Sequence, residues 1–356
     1  MSLQNTRILF VKRPHGLFEP SETFKIVKEP VPSQNDLSNG QLLVKNFYLS
    51  LDPAMRGMMN DVRSYTPPLA INELMRGNTV GGNVFITSQE IILSKNSNFK
   101  VGDKVTGSFG WQEYAVSDGK DVIKIVPPPK ASLRDYLGLF GITGLTAYFG
   151  LLYGELGKRK TNETVVVSGA AGATGSVVGQ IAKLKGARVI GIAGTPDKCA
   201  WLVDELGFDV ALNYRDPDFA EQLTKATPNY IDVYFDNVGG DILNLCLKRI
   251  AKFARIVLCG AISQYNEKAY KGPSNYVSLI AQSGKMEGFI VYNYKDRYQE
   301  AVFELSEWLQ QGKIKTRDYV VEGLENAPQA LLRLFKGENT GKMLIKIANE
   351  NVKSQL

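Results

Sequence analysis

The fold is decided by the stretch Thr164-Val165-Val166-Val167-Ser168-Gly169-Ala170-Ala171-Gly172-Ala173-Thr174-Gly175. It begins with a continuous β-branched run, which is typical of a strand buried on both faces of a parallel sheet. A glycine-rich turn and a helical pattern over residues 177–185 follow. This order predicts a pyrophosphate site, because turn glycines let backbone N–H groups approach the anion and the helix N-terminus adds its dipole. Ala170 replaces the first glycine of the strict G-x-G-x-x-G fingerprint, so the motif alone also allows a plain strand–helix turn.

Downstream of this stretch, apolar strands alternate with helical segments. The sequence predicts strands over 187–192, 210–212, 231–235 and 256–258, and helices over 196–206, 219–226 and 242–251. About six β-α units of this kind predict a doubly wound parallel sheet, the α/β architecture of a Rossmann domain.

Upstream of residue 128 the pattern is all-β and indicates a barrel of short strands. The predicted strands cover 7–12, 41–50, 78–88, 104–107, 112–116 and 122–126. Pro127-Pro128-Pro129 separates the two patterns. Near the end, strands over 319–321 and 343–347 bracket a helix over 327–336 and are expected to return to the first domain. The predicted domains are therefore residues 1–129 with 312–356, and residues 130–311.

Composition narrows the class of protein. The chain has 356 residues, with 42 Lys and Arg against 36 Asp and Glu, a net charge of +6. This balance favours an anionic ligand slightly and is too small to indicate nucleic acid. Without a long apolar run or a leader pattern, we expect a cytoplasmic protein that does not enter the membrane. Three scattered cysteines and one histidine, His15, predict that no zinc site or His-based triad is present.

The end of the second predicted strand indicates which dinucleotide binds. An NAD site normally places a carboxylate there for the ribose hydroxyls, whereas this strand ends Ala193-Gly194-Thr195. Thr195-Pro196 reads as the N-cap and first residue of a helix, with Lys198 in its first turn. A lysine at this place suits a 2′-phosphate, which favours NADP over NAD. The alternative for Lys198 is a solvated surface lysine.

Hydride transfer also needs a group that handles the substrate oxygen. None of the 16 tyrosines is followed by lysine in the Tyr-x-x-x-Lys spacing of short-chain reductases. Tyr265 lies in the loop after the fifth strand, and such loops line the ligand crevice of a doubly wound sheet. Position alone leaves packing as the alternative for Tyr265.

Several motifs resemble the medium-chain dehydrogenase/reductase superfamily, in its zinc-independent branch of prostaglandin reductases (leukotriene 12-hydroxydehydrogenases) and NADPH-dependent double-bond (2-alkenal) reductases. They are Leu51-Asp52-Pro53-Ala54-Met55-Arg56-Gly57, Gly144-Leu145-Thr146-Ala147-Tyr148-Phe149-Gly150-Leu151, the turn 169–175, Gly207-Phe208-Asp209, Asn213-Tyr214, Asp236-Asn237-Val238-Gly239-Gly240, the loop 259–266, Glu287-Gly288-Phe289 and Lys336-Gly337-Glu338-Asn339-Thr340-Gly341-Lys342. The resemblance covers nearly the whole chain in order. It implies a GroES-like β-barrel domain interrupted by a Rossmann domain.

The resemblance also implies roles for individual residues. Tyr265 matches the tyrosine that the family is thought to use to steady the enolate oxygen and manage its protonation. The implied cofactor-binding residues, together with Thr195 and Lys198, are Gly172, Ala173, Thr174, Gly175, Tyr214, Asn237, Cys259, Gly260, Ala261, Ile262, Ser263, Gln264, Tyr265, Phe289, Ile290, Val291 and Asn339. Ala54 stands where many relatives have tyrosine and reshapes the expected pocket wall. Met55, Met58, Met59 and Tyr65 either line an apolar pocket or pack in the core.

The resulting interpretation is an NADPH-dependent reductase that acts on the C=C bond of small α,β-unsaturated ketones and aldehydes, needs no metal and forms a homodimer. A quinone oxidoreductase is the alternative among enzymes. A redox-sensing or RNA-binding protein that keeps the dinucleotide site without catalysis is the alternative outside them.

Overall fold

The computed structural model describes residues 3–77, 87–120, 122–153 and 162–350, and of residues 87–89 the backbone alone. The chain divides into two compact units. Unit 1 comprises Met1–Gly141 and Asp318–Leu356, and unit 2 comprises Ile142–Arg317.

The predicted boundaries at 129 and 311 precede those of the structure, for reasons visible in the packing. Leu133 and Leu137 share an apolar cluster with Phe47 and Leu344, which keeps residues 130–141 in unit 1. Gln180 holds the backbone of residue 315 from both sides: its Nε2 donates to the carbonyl at 3.0 Å, and its Oε1 accepts from the N–H at 2.8 Å. Residues 312–317 therefore remain with unit 2.

The elements follow one another in three groups. The first part of unit 1 holds strands β1 (Gln4–Phe10), β2 (Phe24–Pro30), β3 (Leu42–Ser50), β4 (Glu73–Leu74), β5 (Thr87–Ser94), β6 (Lys104–Gly107), β7 (Tyr114–Ser117) and β8 (Ile123–Lys124), with helices α1 (Pro20–Thr23) and α2 (Met55–Met58). Unit 2 holds strands β9 (Thr164–Ser168), β10 (Arg188–Ala193), β11 (Val210–Asn213), β12 (Ile231–Asp236), β13 (Ile250–Leu258) and β14 (Lys285–Gly288), with helices α3 (Ile142–Leu152), α4 (Ala173–Leu184), α5 (Pro196–Ala200), α6 (Phe219–Ala226), α7 (Gly240–Leu247), α8 (Ser278–Ala281) and α9 (Tyr298–Gln310). The chain then returns to unit 1 with β15 (Asp318–Glu322), α10 (Ala327–Lys336) and β16 (Lys342–Lys346).

Unit 1 is built on a curled sheet of the order β15-β16-β3-β5-β6-β8, to which β7 adds by pairing with β3. A smaller sheet has the order β2-β1-β4. The chain's last two strands, β15 and β16, thus join the larger sheet, which begins with β3. Of the predicted strand 78–88, residues 78–86 lie outside the described part of the chain.

Unit 2 has the order β11-β10-β9-β12-β13-β14, with every pair parallel. This is the 3-2-1-4-5-6 order of a doubly wound sheet, and the order reverses between β9 and β12. Val165, Val166 and Val167 are all fully buried, as their β-branched run predicts. The predicted fold class, a GroES-like β-barrel domain and a Rossmann domain, is confirmed.

One predicted helix is too long. The pattern over 242–251 predicts helix to its end, but α7 stops at Leu247 and residues 250 and 251 begin β13. Ile250 pairs with Ile231 of β12 and is buried in the core of unit 2. Pairing with a neighbouring strand outweighs the local helical pattern here.

Candidate active site

The predicted site residues of unit 2 follow the carboxyl ends of its parallel strands. The turn after β9 and the turn after β12 lie on either side of the point where the strand order reverses, which is where ligands bind in doubly wound sheets. A direct bond joins the two turns, because the side-chain amide of Asn237 donates to the carbonyl oxygen of Ser168 at 2.8 Å.

The glycine-rich turn presents a helix N-terminus with no side-chain cap. Gly169 has φ +58°. Gly172 is the N-cap residue of α4 and, as a glycine, has no side chain that could accept a capping hydrogen bond. A Cβ at residue 175 would lie 2.4 Å from the carbonyl oxygen of Gly169, so only glycine lets α4 approach the turn this closely. Because the first N–H groups of a helix have no acceptor within it, those of Ala173, Thr174 and Gly175 suit a phosphate anion.

The ends of β10 and β11 form a cationic corner. Thr195 caps α5 by accepting from the Lys198 N–H at 3.4 Å, and the ring of Tyr214 lies on Gly194, where a Cβ would be 2.9 Å from a ring carbon. Burial, and then the charge of Arg215, lower the pKa of the half-buried Lys198. The guanidinium carbon of Arg215 lies 5.6 Å from the centre of the Tyr214 ring.

Sequence reasoning missed Arg215. The sequence does place Arg215 directly after Tyr214, at the end of the third strand of unit 2. An arginine at an exposed position is common on any protein surface, however, so this position alone does not indicate a ligand contact. Two cations whose charges interact, one of them over the Tyr214 ring, form a fitting site for a phosphate on an adenosine. The absence of a carboxylate at the end of β10 is consistent with that interpretation.

The turn after β12 is shaped to receive the loop that follows β13. Gly239 and Gly240 have φ of +69° and +58°, and a Cβ at residue 240 would lie 2.8 Å from Ser263 Oγ. The N–H of Ile262 donates to the Asn237 carbonyl oxygen at 3.2 Å. The loop therefore packs directly on glycine backbone, which explains the glycine pair.

Within this loop, Tyr265 turns back over its own backbone. Its hydroxyl oxygen accepts from the Ala261 N–H at 3.1 Å and lies 3.1 Å from the Cβ position of Gly260. Accepting this bond uses a lone pair and leaves the hydroxyl proton for donation. Burial raises the pKa of Tyr265 above its usual 10, so the phenol stays protonated at neutral pH.

The other residues of the loop have structural partners. Removal from water, and then the Asp236 charge, raise the pKa of the Cys259 thiol to about 12, so Cys259 is neutral rather than nucleophilic. Ser263 Oγ donates to the Val238 carbonyl oxygen at 2.6 Å, and Gln264 Nε2 lies 3.1 Å from Ser263 Oγ.

The remaining predicted residues occupy two places. Phe289 follows β14 and its N–H donates to the Leu258 carbonyl oxygen at 3.0 Å, while Ile290 is half-buried and Val291 buried. Asn339 belongs to unit 1, between α10 and β16, where its amide donates to the Gly341 carbonyl oxygen at 2.8 Å.

The burial of the three methionines in unit 1 distinguishes core packing from a pocket lining. Met55, Met58 and Met59 are at most 1% exposed, so they pack in the core and do not line an open pocket, whereas Tyr65 is 47% exposed. Within the described ranges of both units, no group of three or more His, Cys, Asp or Glu could hold a metal ion. No helix in the described part of the chain is both long and apolar enough to span a bilayer.

Comparisons with known proteins cover almost the whole chain. A family model described as the N-terminal domain of oxidoreductase matches residues 6–125, and one described as zinc-binding dehydrogenase matches residues 173–308. The chain is 40% identical to the NADPH-dependent curcumin reductase of Escherichia coli (strain K12), over 98% of each chain. It is 43% identical to prostaglandin reductase 1 of Mus musculus, over 87% of this chain and 90% of the relative.

A solved structure has the same fold. The crystal structure of CurA in complex with NADPH from Vibrio vulnificus matches with a TM-score of 0.88 at 41% identity. The match covers 97% of this chain and 99% of that one.

Proposed function

Because the chain belongs to the zinc-independent branch of the medium-chain dehydrogenase/reductase family of oxidoreductases, we propose that it reduces the C=C bond of α,β-unsaturated ketones and aldehydes with NADPH. The observation that carries this proposal is the placement of the Tyr265 hydroxyl. It is held on the Ala261 N–H, with its proton free to donate, in a loop packed against the turn after β12. The names of the relatives, a curcumin reductase that depends on NADPH and a prostaglandin reductase, support the same class.

The described residues of unit 2 fit NADPH. The uncapped N-terminus of α4 would hold the pyrophosphate, and the glycines around it leave no side chain in the way. Lys198, Arg215 and Thr195 would hold the 2′-phosphate, with the Tyr214 ring beside the adenosine. When bound, NADPH supplies the hydride that reduces the β-carbon of the substrate.

Tyr265 would act on the oxygen of the substrate. As the β-carbon is reduced, negative charge develops on the carbonyl oxygen, which becomes an enolate. A hydrogen bond from the Tyr265 hydroxyl stabilises that charge, and the raised pKa keeps its proton in place until the enolate is protonated at the α-carbon. A preorganised donor of this kind contributes about 3–4 kcal/mol to the transition state.

The test is a panel of enones, alkenals and quinones assayed by loss of NADPH absorbance, with wild type and Tyr265→Phe. We expect enones and alkenals to be reduced, and the variant to lose about a hundred- to a thousandfold in kcat while its NADPH affinity is unchanged. Turnover of quinones alone would replace the proposal by a quinone oxidoreductase. A variant with more than half its activity on several enones would make Tyr265 a pocket wall, and the hydride-transfer proposal itself would stand.

We also propose that the enzyme is a homodimer. β14 is an outer strand of the sheet in the described residues, and exposed apolar side chains lie on the neighbouring segment, with Tyr276 57% and Ile280 78% exposed. An unpaired sheet edge beside an apolar surface favours pairing with a second copy. Light scattering should give twice the 39.3 kDa chain mass, and Ile280→Asp should shift the protein towards the monomer.

A further inference from the structure

The side chain of Asp236 is fully buried at the end of β12, and the proposed reaction gives it no role. Its Oδ1 accepts from Ser168 Oγ at 2.8 Å, from the Tyr234 hydroxyl at 2.8 Å, and from the backbone N–H groups of Val238 and Gly239 at 3.0 Å each. Oδ2 accepts a second bond from the Gly239 N–H at 3.1 Å. A buried carboxylate is costly unless it is fully hydrogen-bonded, and here all these donors are uncharged.

These bonds fix the course of the backbone after β12. The carboxylate reaches forward to the N–H groups two and three residues ahead, which closes the turn that contains Gly239. Asn237 is held as well, because its N–H donates to Ser168 Oγ at 2.9 Å, the same hydroxyl that donates to Asp236. The carboxylate thus determines where the carbonyl groups of residues 236–238 point.

Those carbonyl groups in turn hold the loop after β13. The Asp236 carbonyl oxygen accepts from the N–H groups of Cys259 and Gly260, at 2.9 and 3.0 Å. The carbonyl of residue 237 accepts from Ile262 at 3.2 Å, and that of residue 238 accepts from the N–H of Ser263 at 3.1 Å. The next bond in the series is the one from the Ala261 N–H to the Tyr265 hydroxyl.

We propose that Asp236 is a positioning residue, which sets the place of the Tyr265 hydroxyl through the backbone bonds between the two turns. This inference rests on the proposed role of Tyr265 in reduction. A misplacement of about 1 Å at a reacting group costs on the order of a hundredfold in rate. The carboxylate is therefore needed for turnover although it does not touch the substrate.

The test compares Asp236→Asn with Asp232→Asn. Asparagine keeps the volume and one oxygen, but an NH₂ group in place of Oδ2 cannot accept the second bond from the Gly239 N–H and meets that N–H with another donor. Asp232 lies on the same strand, and its carboxylate accepts the Thr164 N–H at 2.8 Å, so it is a matched control at the opposite end of β12. Both variants lose acceptor strength for a backbone N–H, but only the first is connected to the loop.

Hydrogen exchange of the protein without NADPH or substrate gives the first result. We expect amide exchange in residues 259–265 to be about tenfold faster in Asp236→Asn and unchanged in Asp232→Asn, since opening of the loop becomes easier. Equal exchange in the two variants would make Asp236 an ordinary structural residue and overturn the proposal. This measurement stands even if the wild type reduces no enone, in which case the proposed function fails by itself.

A double-mutant cycle gives the second result. Asp236→Asn alone should lower kcat by about ten- to hundredfold with a smaller rise in KM, whereas in the Tyr265→Phe background it should lower kcat by less than about twofold. Losses that multiply would show that Asp236 does not act through Tyr265. If Asp236→Asn fails to fold, Tyr234→Phe removes one donor to the carboxylate and should accelerate exchange in the same loop; no acceleration would overturn the inference.

Discussion

The cationic corner predicts that Lys198 determines the preference for NADPH over NADH, which binding measurements can test. Replacing Lys198 by alanine removes an ammonium that is half-buried and carries a lowered pKa because of burial and the neighbouring Arg215 charge. That ammonium has already lost water, so binding a 2′-phosphate relieves the repulsion from Arg215 at little further cost. A hydrogen bond between charged groups in such surroundings contributes about 1.5–3 kcal/mol. At 1.4 kcal/mol per factor of ten, the variant should bind NADPH roughly 10- to 150-fold more weakly.

Arg215 should matter less, for a reason that the structure supplies. Its side chain is exposed, and exposed ion pairs contribute about 0.2–1 kcal/mol, so Arg215→Ala should weaken NADPH binding by no more than about fivefold. Its removal also relieves the repulsion on Lys198, which offsets part of the loss. The ranking of the two cations therefore follows from burial.

The assay is titration of each variant with NADPH and NADH, followed by nicotinamide fluorescence. NADH lacks the 2′-phosphate, so its dissociation constant should change little, and the ratio of the two constants isolates the phosphate contact. Lys183→Ala is the control, because Lys183 pairs at 2.9 Å with Asp209, which lies at the amino ends of β10 and β11, whereas Lys198 follows the carboxyl end of β10. If Lys198→Ala weakened both cofactors by the same factor, the assignment of the 2′-phosphate to this corner would be refuted.

Three further predictions follow from the same site. Gly175→Ala should destabilise the fold by roughly 1–3 kcal/mol, because its Cβ would overlap the Gly169 carbonyl oxygen, and should also weaken NADPH binding. Gly288→Ala is the control, because a Cβ at that position meets nothing within 4 Å. Equal melting temperatures for the two variants would contradict the prediction. The pKa of Lys198 lies below the 10.5 of an ordinary lysine, and the dissociation constant for NADPH should rise as the pH increases through it, since only the protonated amine attracts the phosphate. The dissociation constant for NADH should stay constant over the same pH range. Prolonged dialysis against a strong chelator should leave turnover intact, and chelator-sensitive activity with stoichiometric zinc would contradict a metal-free mechanism.

The parts of the site that follow from local pattern are predictable from the sequence. The strand, turn and helix around residues 164–184 are neighbours in the chain, and their residue types alone imply an anion site at the N-terminus of α4. The cap formed by Thr195 is equally local, because Thr195-Pro196 carries the signal within two residues. The prediction of NADP as the cofactor also rests on local residues, because the end of β10 carries no carboxylate and Lys198 follows three residues after Thr195.

Other parts depend on contacts between distant residues. The direction of the Tyr265 hydroxyl is set by bonds from residues about 25 positions earlier, which no pattern around Tyr265 displays. Asp236 reads as the polar end of a strand, and its bonds to Ser168 and Tyr234 exist only in the folded sheet. The end of unit 1 at Gly141 is decided by Leu133 and Leu137, whose spacing gives no indication of which core they join.

The position of β16 in the sheet of unit 1 has a consequence for synthesis of the chain on the ribosome. β16 pairs with β3, so the sheet that begins with β3 at Leu42 lacks an inner strand until residues 342–346 have been made. Unit 2 is continuous from Ile142 to Arg317 and has all its strands before then. At 5–20 residues per second, the roughly 200 residues between Gly141 and Lys342 take on the order of 10–40 s to translate. During that interval the β3 edge that β16 will cover is open to misassociation, and a bound chaperone would protect this N-terminal segment rather than the nucleotide-binding unit.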